Sequence, residues 1–386
     1  MDQFIKVPSV LMRGGTSKGL IFKSVHLPSD PVLRDKLITR IYGSPDLRQI
    51  DGLGGGNPLS SKMAIVGPST HPDADINYTF GQVSLEQNVI DYKPTCGNMA
   101  TAVGLFAAEE GYVSLTDPVA VVRIFNTNTN KIIETEVHVK NGSIDYNGNF
   151  AIDGVPGTSS QIMVNFLDPG GAITGKLLPT GNVKDLITLD NGERFQVSVI
   201  DSANAVVFVS AEELGIKGPD FVEAFKSRRL LDTLELIRVE AGIRIGLIEN
   251  NKEVTPSSHA LPKIAVLAKA QNYHTATGRK ICEDKVDIIG LYLAMGQLHQ
   301  AFAVSGGITV ATGSQIPGTI VEGLLKLNKR GMLTIGHPSG TMAVDVQVKE
   351  QGGLYQVTRA AVGRTARRLM DGVSYVPSYV NNEKHG

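Results

Sequence analysis

The sequence predicts an α+β protein made of two similarly built halves. Three observations carry this expectation. Short apolar runs of strand type recur along the chain, separated by polar turns such as Asn141-Gly142 and Asn147-Gly148. Helical patterns are fewer and stand among the strands without strict β-α-β alternation, which argues against a doubly wound sheet. Each half also carries one helical segment beside a Gly-rich block, from Gly97 onward in the first and over 306–319 in the second.

Taken in order, strand-type runs fall at 19–22, 62–66, 76–83, 119–125 and 134–139, then at 195–200, 206–210 and 264–267. Residues 30–42 set charged and apolar side chains at helical spacing. Residues 97–110 are Ala-rich and stop at Gly111, a C-terminal helix signal. Residues 221–240 and 284–304 read as longer amphipathic helices. Pro179 and Gly181 interrupt the pattern within 175–184. A first domain is therefore expected over 1–184, completed by residues 365–386, and a second over 185–364.

A chain of 386 residues is longer than one ordinary domain needs, and its 42% hydrophobic content can bury a sizeable core. Lys and Arg total 37 against 38 Asp and Glu, so no basic footprint for nucleic acid is present. The two cysteines exclude a disulfide scaffold and a cysteine-rich zinc domain, and they suit a reducing cytosol. The N-terminal residues lack the basic and apolar regions of a signal peptide. The longest apolar stretches, 264–268 and 206–209, are far too short to cross a bilayer. A cytoplasmic enzyme is the expectation. Glycine accounts for 42 residues, about 11% against a typical ~7%, and the excess is concentrated in a few clusters.

Four of these clusters can carry chemistry. The first is Arg13-Gly14-Gly15-Thr16-Ser17-Lys18, where successive backbone N–H groups can surround an anion and Arg13 can grip a carboxylate with two nitrogens. A solvated turn is the bland reading, and the P-loop spacing is missing. The second runs from Asp51 through Gly56 to Ser60, Ser61 and Lys62, where a glycine loop enters a strand. A lysine entering an apolar strand is a candidate proton acceptor, because desolvation favours the neutral amine. Most lysines at strand edges do nothing of the kind.

The third cluster is Cys96-Gly97-Asn98-Met99, at the start of the Ala-rich helix. Partial positive charge at a helix N-terminus favours a thiolate or an anionic ligand, and the free N–H groups of the first turn can hold a carboxylate. Cys282, with no Gly-rich partner, represents the alternative of a buried structural thiol. The fourth is Gly336-His337-Pro338-Ser339-Gly340-Thr341, a turn whose hydroxyls can contact an anion and whose histidine is either a chemical group or, as is commoner in polar turns, a hydrogen-bonding bystander. The eight histidines are scattered without H-E-x-x-H, so no metal is expected. The Gly52–56 run precedes a strand and fails the dinucleotide context, and G-x-S-x-G is absent.

Together, MRGGTSKG, RQIDGLGG…SSK, the Cys-Gly-Asn helix start, KLLPTGN, IPGT and GHPSG resemble the PrpF-like isomerases, over nearly the whole chain from Arg13 to about Arg368. These are similar to aconitate and methylaconitate isomerases, methylitaconate Δ-isomerase and oxalomesaconate tautomerase. The resemblance implies a diaminopimelate-epimerase-like fold. That fold has two pseudo-symmetric α+β domains, each a sheet wrapped around a central helix, with the active site in the cleft between them. It also implies cofactor-free 1,3-proton transfer in an unsaturated di- or tricarboxylate, with the pattern's catalytic lysine and cysteine falling on Lys62 and Cys96. True epimerases of that fold use two cysteines, one per domain. The second-domain block 305–313 has none, which favours an allylic isomerase over a two-thiol racemase.

The expected enzyme shifts or rotates a C=C bond, with aconitate-type acids first among substrates and methylitaconate or oxalomesaconate as alternatives. Expected substrate contacts are Arg13, Thr16, Ser17, Lys18, Ser60, Ser61, Gly97, Asn98, Met99, His337, Ser339, Gly340 and Thr341. No metal and no cofactor are expected. Expected partners are the small carboxylate and further copies of the chain in a homodimer or homotetramer, with no nucleic acid and no membrane. The rival of another class is a non-catalytic carboxylate-binding accessory protein. A hydratase or lyase would need an iron–sulfur cluster that two cysteines cannot ligate.

Overall fold

In the computed structural model, residues 3–249, 261–294, 296–326 and 331–378 are described. The chain forms two units. The first comprises Met1–Phe150, Ser159–Ile162 and Arg364–Gly386, and the second Ala151–Thr158 and Met163–Gly363.

The first unit begins with an antiparallel hairpin of β1 (Phe4–Gly14) and β2 (Ser17–Lys23). Helix α1 (Pro31–Tyr42) then crosses to β3 (Lys62–Pro68), which pairs parallel to β2. Its ends are locally encoded. Asp30 accepts hydrogen bonds from the N–H groups of Val32 and Leu33, Pro31 stands at the first helical position, and Gly43 ends the helix at φ 78°. Strand β4 (Ile76–Val83) pairs antiparallel to β3. Helix α2 (Gly97–Glu109) leads to the strand Val119–Asn126, which runs parallel to β4 and turns back into Lys131–Lys140. The C-terminal strand Ala366–Pro377 closes the set by pairing along β1.

The second unit repeats this connectivity. Asp185–Thr188 pairs with Arg194–Asp201, which turns into Ala205–Ser210. The helix Arg228–Arg244 crosses to the parallel strand Lys263–Lys269, which pairs antiparallel with Ile288–Ala294. The helix Val304–Gly313 then leads to the parallel strand Gly331–His337, and that strand turns back into Gly340–Gln351. The two similarly built halves expected from sequence are thus present in the strand order.

Each unit wraps its sheet around one buried helix. Helix α2 packs on β1, β2, β3, β4, Val119–Asn126, Lys131–Lys140 and the C-terminal strand, and it is buried from Gly97 to Ala108. Such a helix is apolar all round and rich in small residues. A Cβ at Gly104 would stand 2.0 Å from the Thr135 hydroxyl, so the sheet touches the helix backbone there. In the second unit every residue of Val304–Gly313 is buried, and Gly306 and Gly307 admit Tyr292 and Met342.

Residues 284–304, expected as a helix, instead hold the strands Ile288–Ala294 and Gln297–Leu298. The apolar run is buried on both faces, where helical and strand periods cannot be told apart. Within the sheet Gly290 leaves room for the Phe302 ring, since a Cβ there would lie 2.6 Å from it. The expected helix over 221–240 is two pieces, Phe221–Ala224 and Arg228–Arg244. Residues 163–184 lie in the second unit rather than the first. They are tied there by Asp201, whose carboxylate accepts from the N–H groups of Ile173 (2.9 Å) and Thr174 (2.6 Å). Among the described residues no helix is long and apolar enough to cross a membrane.

Candidate active site

The first three glycine clusters meet in the first unit. The β1–β2 turn is their hub. Gly15 adopts φ 50°, and a Cβ on it would lie 2.0 Å from the Asn98 side-chain oxygen. A Cβ on Gly14 would lie 2.0 Å from the Asn98 carbonyl oxygen. The turn therefore rests directly on the first turn of α2, at a distance only glycine permits. Asn98 completes the contact by donating from Nδ2 to Thr16 Oγ1 (3.0 Å) and Ser17 Oγ (3.3 Å). Its Oδ1 is buried with no hydrogen-bond partner among the described residues.

The same hairpin holds the second cluster. The Lys18 N–H donates to the Leu59 carbonyl (2.9 Å), and Gly19 stands opposite Lys62 in the β2–β3 register. A Cβ on Gly19 would meet the Lys62 carbonyl at 1.9 Å and the Met99 methyl at 3.2 Å. Lys62 thus opens β3 beside the helix start. Its Nζ donates to Gln82 Oε1 at 2.8 Å and lies 5.2 Å from the centre of the Phe80 ring. Its carbonyl accepts from the buried Tyr42 hydroxyl, which in turn accepts from the Leu20 N–H at 2.9 Å. Ser61 is buried and donates to Gln49 Oε1 (2.6 Å), which also takes the Gly56 N–H (3.0 Å) and so shapes the glycine loop. Ser60 bonds back to Asn57 within that loop.

Cys96 is the N-cap residue of α2 and is half-buried, with no side-chain capping bond. Its carbonyl accepts from the Ala100 N–H (2.9 Å) and the Tyr78 hydroxyl (3.1 Å). Burial first, and then the charge of Cys96, push the Tyr78 hydroxyl well above its usual range, so it remains a donor. Gly97 and Met99 are buried in the same turn, and the Gly97 carbonyl accepts from Thr101 (2.8 Å). At the matching place in the second unit the N-cap is Ala303, a methyl group.

Arg13 is half-buried and its Nη1 is spent on the backbone. It donates to the Gly15 carbonyl (3.0 Å), the Thr365 carbonyl (2.9 Å) and the Thr365 hydroxyl (3.0 Å). Burial, then Arg367, lowers its pKa. Beside it the sequence reading missed Arg364. This guanidinium is wholly buried, and a Cβ on Gly15 would lie 3.2 Å from its Cδ. Burial pulls it down to about 10. No spacing signal could have found it, because it reaches Gly15 from the far end of the chain.

The fourth cluster belongs to the second unit, where an internal carboxylate already occupies it. Asp153 Oδ2 accepts from the Thr341 N–H (2.7 Å) and hydroxyl (3.3 Å). Gly340, at φ 144°, leaves room for it, since a Cβ there would stand 2.1 Å from Oδ2. Arg279 Nη2 bridges Asp153 Oδ1 and the Ser339 carbonyl (2.9 Å). His337 is buried and its Nδ1 accepts from the Ser339 N–H (3.2 Å), while the Ser339 hydroxyl donates to the Gln300 carbonyl. The carboxylate this turn holds is the protein's own, Asp153, rather than the substrate carboxylate expected there.

A family model described as PrpF protein matches residues 4–377. The chain is 44% identical to 3-methylitaconate isomerase of Eubacterium barkeri, over 97% of this chain and 98% of that one. It is 36% identical to 2-methyl-aconitate isomerase of Cupriavidus necator, again over 97% and 98%. Among solved structures it superimposes on a methylitaconate-delta-isomerase with TM-score 0.80 at 42% identity, covering 98% of this chain and 97% of the other. A hydroxyproline epimerase from Agrobacterium vitis, 12% identical with TM-score 0.59 over 97% and 93%, shares the fold. By sequence over nearly its whole length and by fold, the chain belongs to the PrpF family and is an isomerase of that family.

Proposed function

We propose that this isomerase moves a C=C bond by 1,3-proton transfer in a small unsaturated dicarboxylate of the methylitaconate type. The observation that carries the reading is Lys62, tethered by Gln82 at the junction of the glycine turn and the α2 N-terminus. The Lys62 amine takes a proton from the carbon beside a carboxylate. The electron pair spreads over the adjoining C=C and carboxylate as a dienolate, and the proton returns at the other allylic carbon. The positive dipole at the α2 N-terminus suits the negative charge that develops, while the Gly15 N–H is already given to the Thr365 carbonyl at 2.8 Å. Cys96 serves as partner acid or as a positioning donor. Thr16, Ser17, Lys18 and Asn98 bind the carboxylates.

The 44% relative over nearly both whole chains supports the dicarboxylate ahead of the aconitate-type acid that the sequence put first. An aconitate-type tricarboxylate is the second reading, supported by the 36% relative. The test is NMR in D₂O with methylitaconate, methylaconitate, cis- and trans-aconitate and oxalomesaconate. The expected result is deuterium entering methylitaconate together with formation of its internal alkene. Faster exchange into an aconitate-type acid selects the second reading. No exchange into any of them overturns proton transfer in these acids as the reading of the site.

A further inference from the structure

We propose that Gln82 is the positioning residue of Lys62, holding its terminal nitrogen in place without fixing its charge. This rests on the reading of Lys62 as the proton-transfer group. Lys62 and Gln82 are directly opposed across β3 and β4, so their side chains rise from the same face of the sheet. Lys62 Nζ donates to Gln82 Oε1 at 2.8 Å. The other end of the amide is tied down: Nε2 donates to the carbonyls of Pro58 (3.2 Å) and Ser61 (2.9 Å). Turning the amide over would press its oxygen onto those two carbonyl oxygens, so the network fixes which end faces the lysine.

The chemistry of that end matters. A carboxamide oxygen is a neutral acceptor. It takes a hydrogen bond from an ammonium, and equally from an amine that has given up a proton and turned its lone pair toward substrate. A carboxylate in the same place would favour the ammonium by direct charge attraction. Gln82 also carries the lysine's position into the 58–61 loop, because the same amide grips two carbonyls there. A lysine with a long flexible stem otherwise samples many rotamers, and a misplacement of about 1 Å is enough to cost ~10²-fold in rate.

Three variants test this. Gln82→Met keeps the length and removes both ends of the tether. It is expected to lower kcat by roughly 10²-fold with KM nearly unchanged. Gln82→Glu is expected to move the limb of the pH–rate profile that reports loss of the ammonium proton to higher pH, restoring turnover in alkaline solution. A glutamine that only braces the loop would lower the melting temperature and leave that limb where it is. Should Gln82→Met not fold, Gln82→Asn, which draws the amide back by one methylene, carries the same test.

The Lys62 ¹³Cε titration, read by NMR without substrate, gives a measure independent of turnover. It should move upward in Gln82→Glu, and an unmoved titration in the folded variant overturns the proposal. Wild-type kcat in Gln82→Met overturns it as well. If Lys62→Met itself turns over normally, the reading of Lys62 falls and this role with it. If Lys62→Met is inactive while the Gln82 variants match wild type in rate and pH profile, only the present inference falls.

Discussion

Lys62→Met keeps an unbranched apolar stem and removes the proton acceptor, so the fold should survive while turnover falls by about 10²–10⁴-fold. More than about a tenth of wild-type turnover would show that Lys62 is not the base. The two thiols separate in the same way. Cys96 caps the central helix of the first unit, whereas Cys282, expected as a buried structural thiol, is exposed outside any glycine cluster. Cys96→Ser should therefore damage activity and Cys282→Ser leave it intact, and equal losses would count against the assignment. Lys62, Cys96 and Asn98 were legible because each sits in a short, distinctive run of sequence. Gln82, Tyr78 and Arg364 were not, because strand register or the returning C-terminus brings them to the site. Arg13 was read as a carboxylate fork, yet its Nη1 ties the turn at Gly15 to the returning chain at Thr365. Lysine cannot reproduce that geometry. Arg13→Lys should cost about 1–2 kcal/mol of stability in a denaturant titration. A raised KM with unchanged stability would return Arg13 to substrate binding.

Elements differ in how much of them the sequence determines locally. Helix α1 was predicted nearly to the residue from the spacing of its charged and apolar side chains, and its ends are fixed within one turn by Asp30, Pro31 and Gly43. Asp30→Ala should cost about 1 kcal/mol and leave turnover unchanged, since the cap serves only the helix. The strand Ile288–Ala294 could not be told from a helix, because burial on both faces erases the period that distinguishes them. The β1–β2 turn falls between these cases. Its glycines marked a special backbone, but the reason is tertiary: Gly15 has φ 50° and faces Asn98 Oδ1 with no space for a side chain. Gly15→Ala imposes backbone strain and drives Asn98 off Thr16 and Ser17. The expected result is a larger loss in kcat/KM than in melting temperature. A variant with wild-type kinetics would remove this turn from the site.

At the scale of the whole chain, the first unit cannot close until its last strand arrives. Ala366–Pro377 pairs along all of β1, so the two ends of the chain share one ladder. Beside that ladder, α2 ends in Glu109 and Glu110, two carboxylates at the negative end of a helix dipole, an unfavourable place for them. Arg368 on the final strand compensates. It pairs with Glu109 (2.6 Å) and Glu110 (2.7 Å) and lies 5.5 Å from the Phe106 ring, while Lys23 reaches Glu110 at 2.7 Å. Partial burial alone would raise the Glu110 carboxyl, but its bonds to Lys23 and Arg368 outweigh that and hold it below the usual range. A carboxyl depressed in the folded state stabilises the protein above its unfolded pKa, and the contribution is lost as pH falls through the depressed folded value. Arg368→Met keeps an unbranched apolar stem and removes the charged group that faces Glu109, Glu110 and the Phe106 ring. It should lower the melting temperature at neutral pH, and the gap from wild type should narrow as pH falls through the acidic range and Glu110 protonates. A gap that stays constant down to strong acid would mean that Arg368 acts by packing on Phe106 and not by holding the two carboxylates.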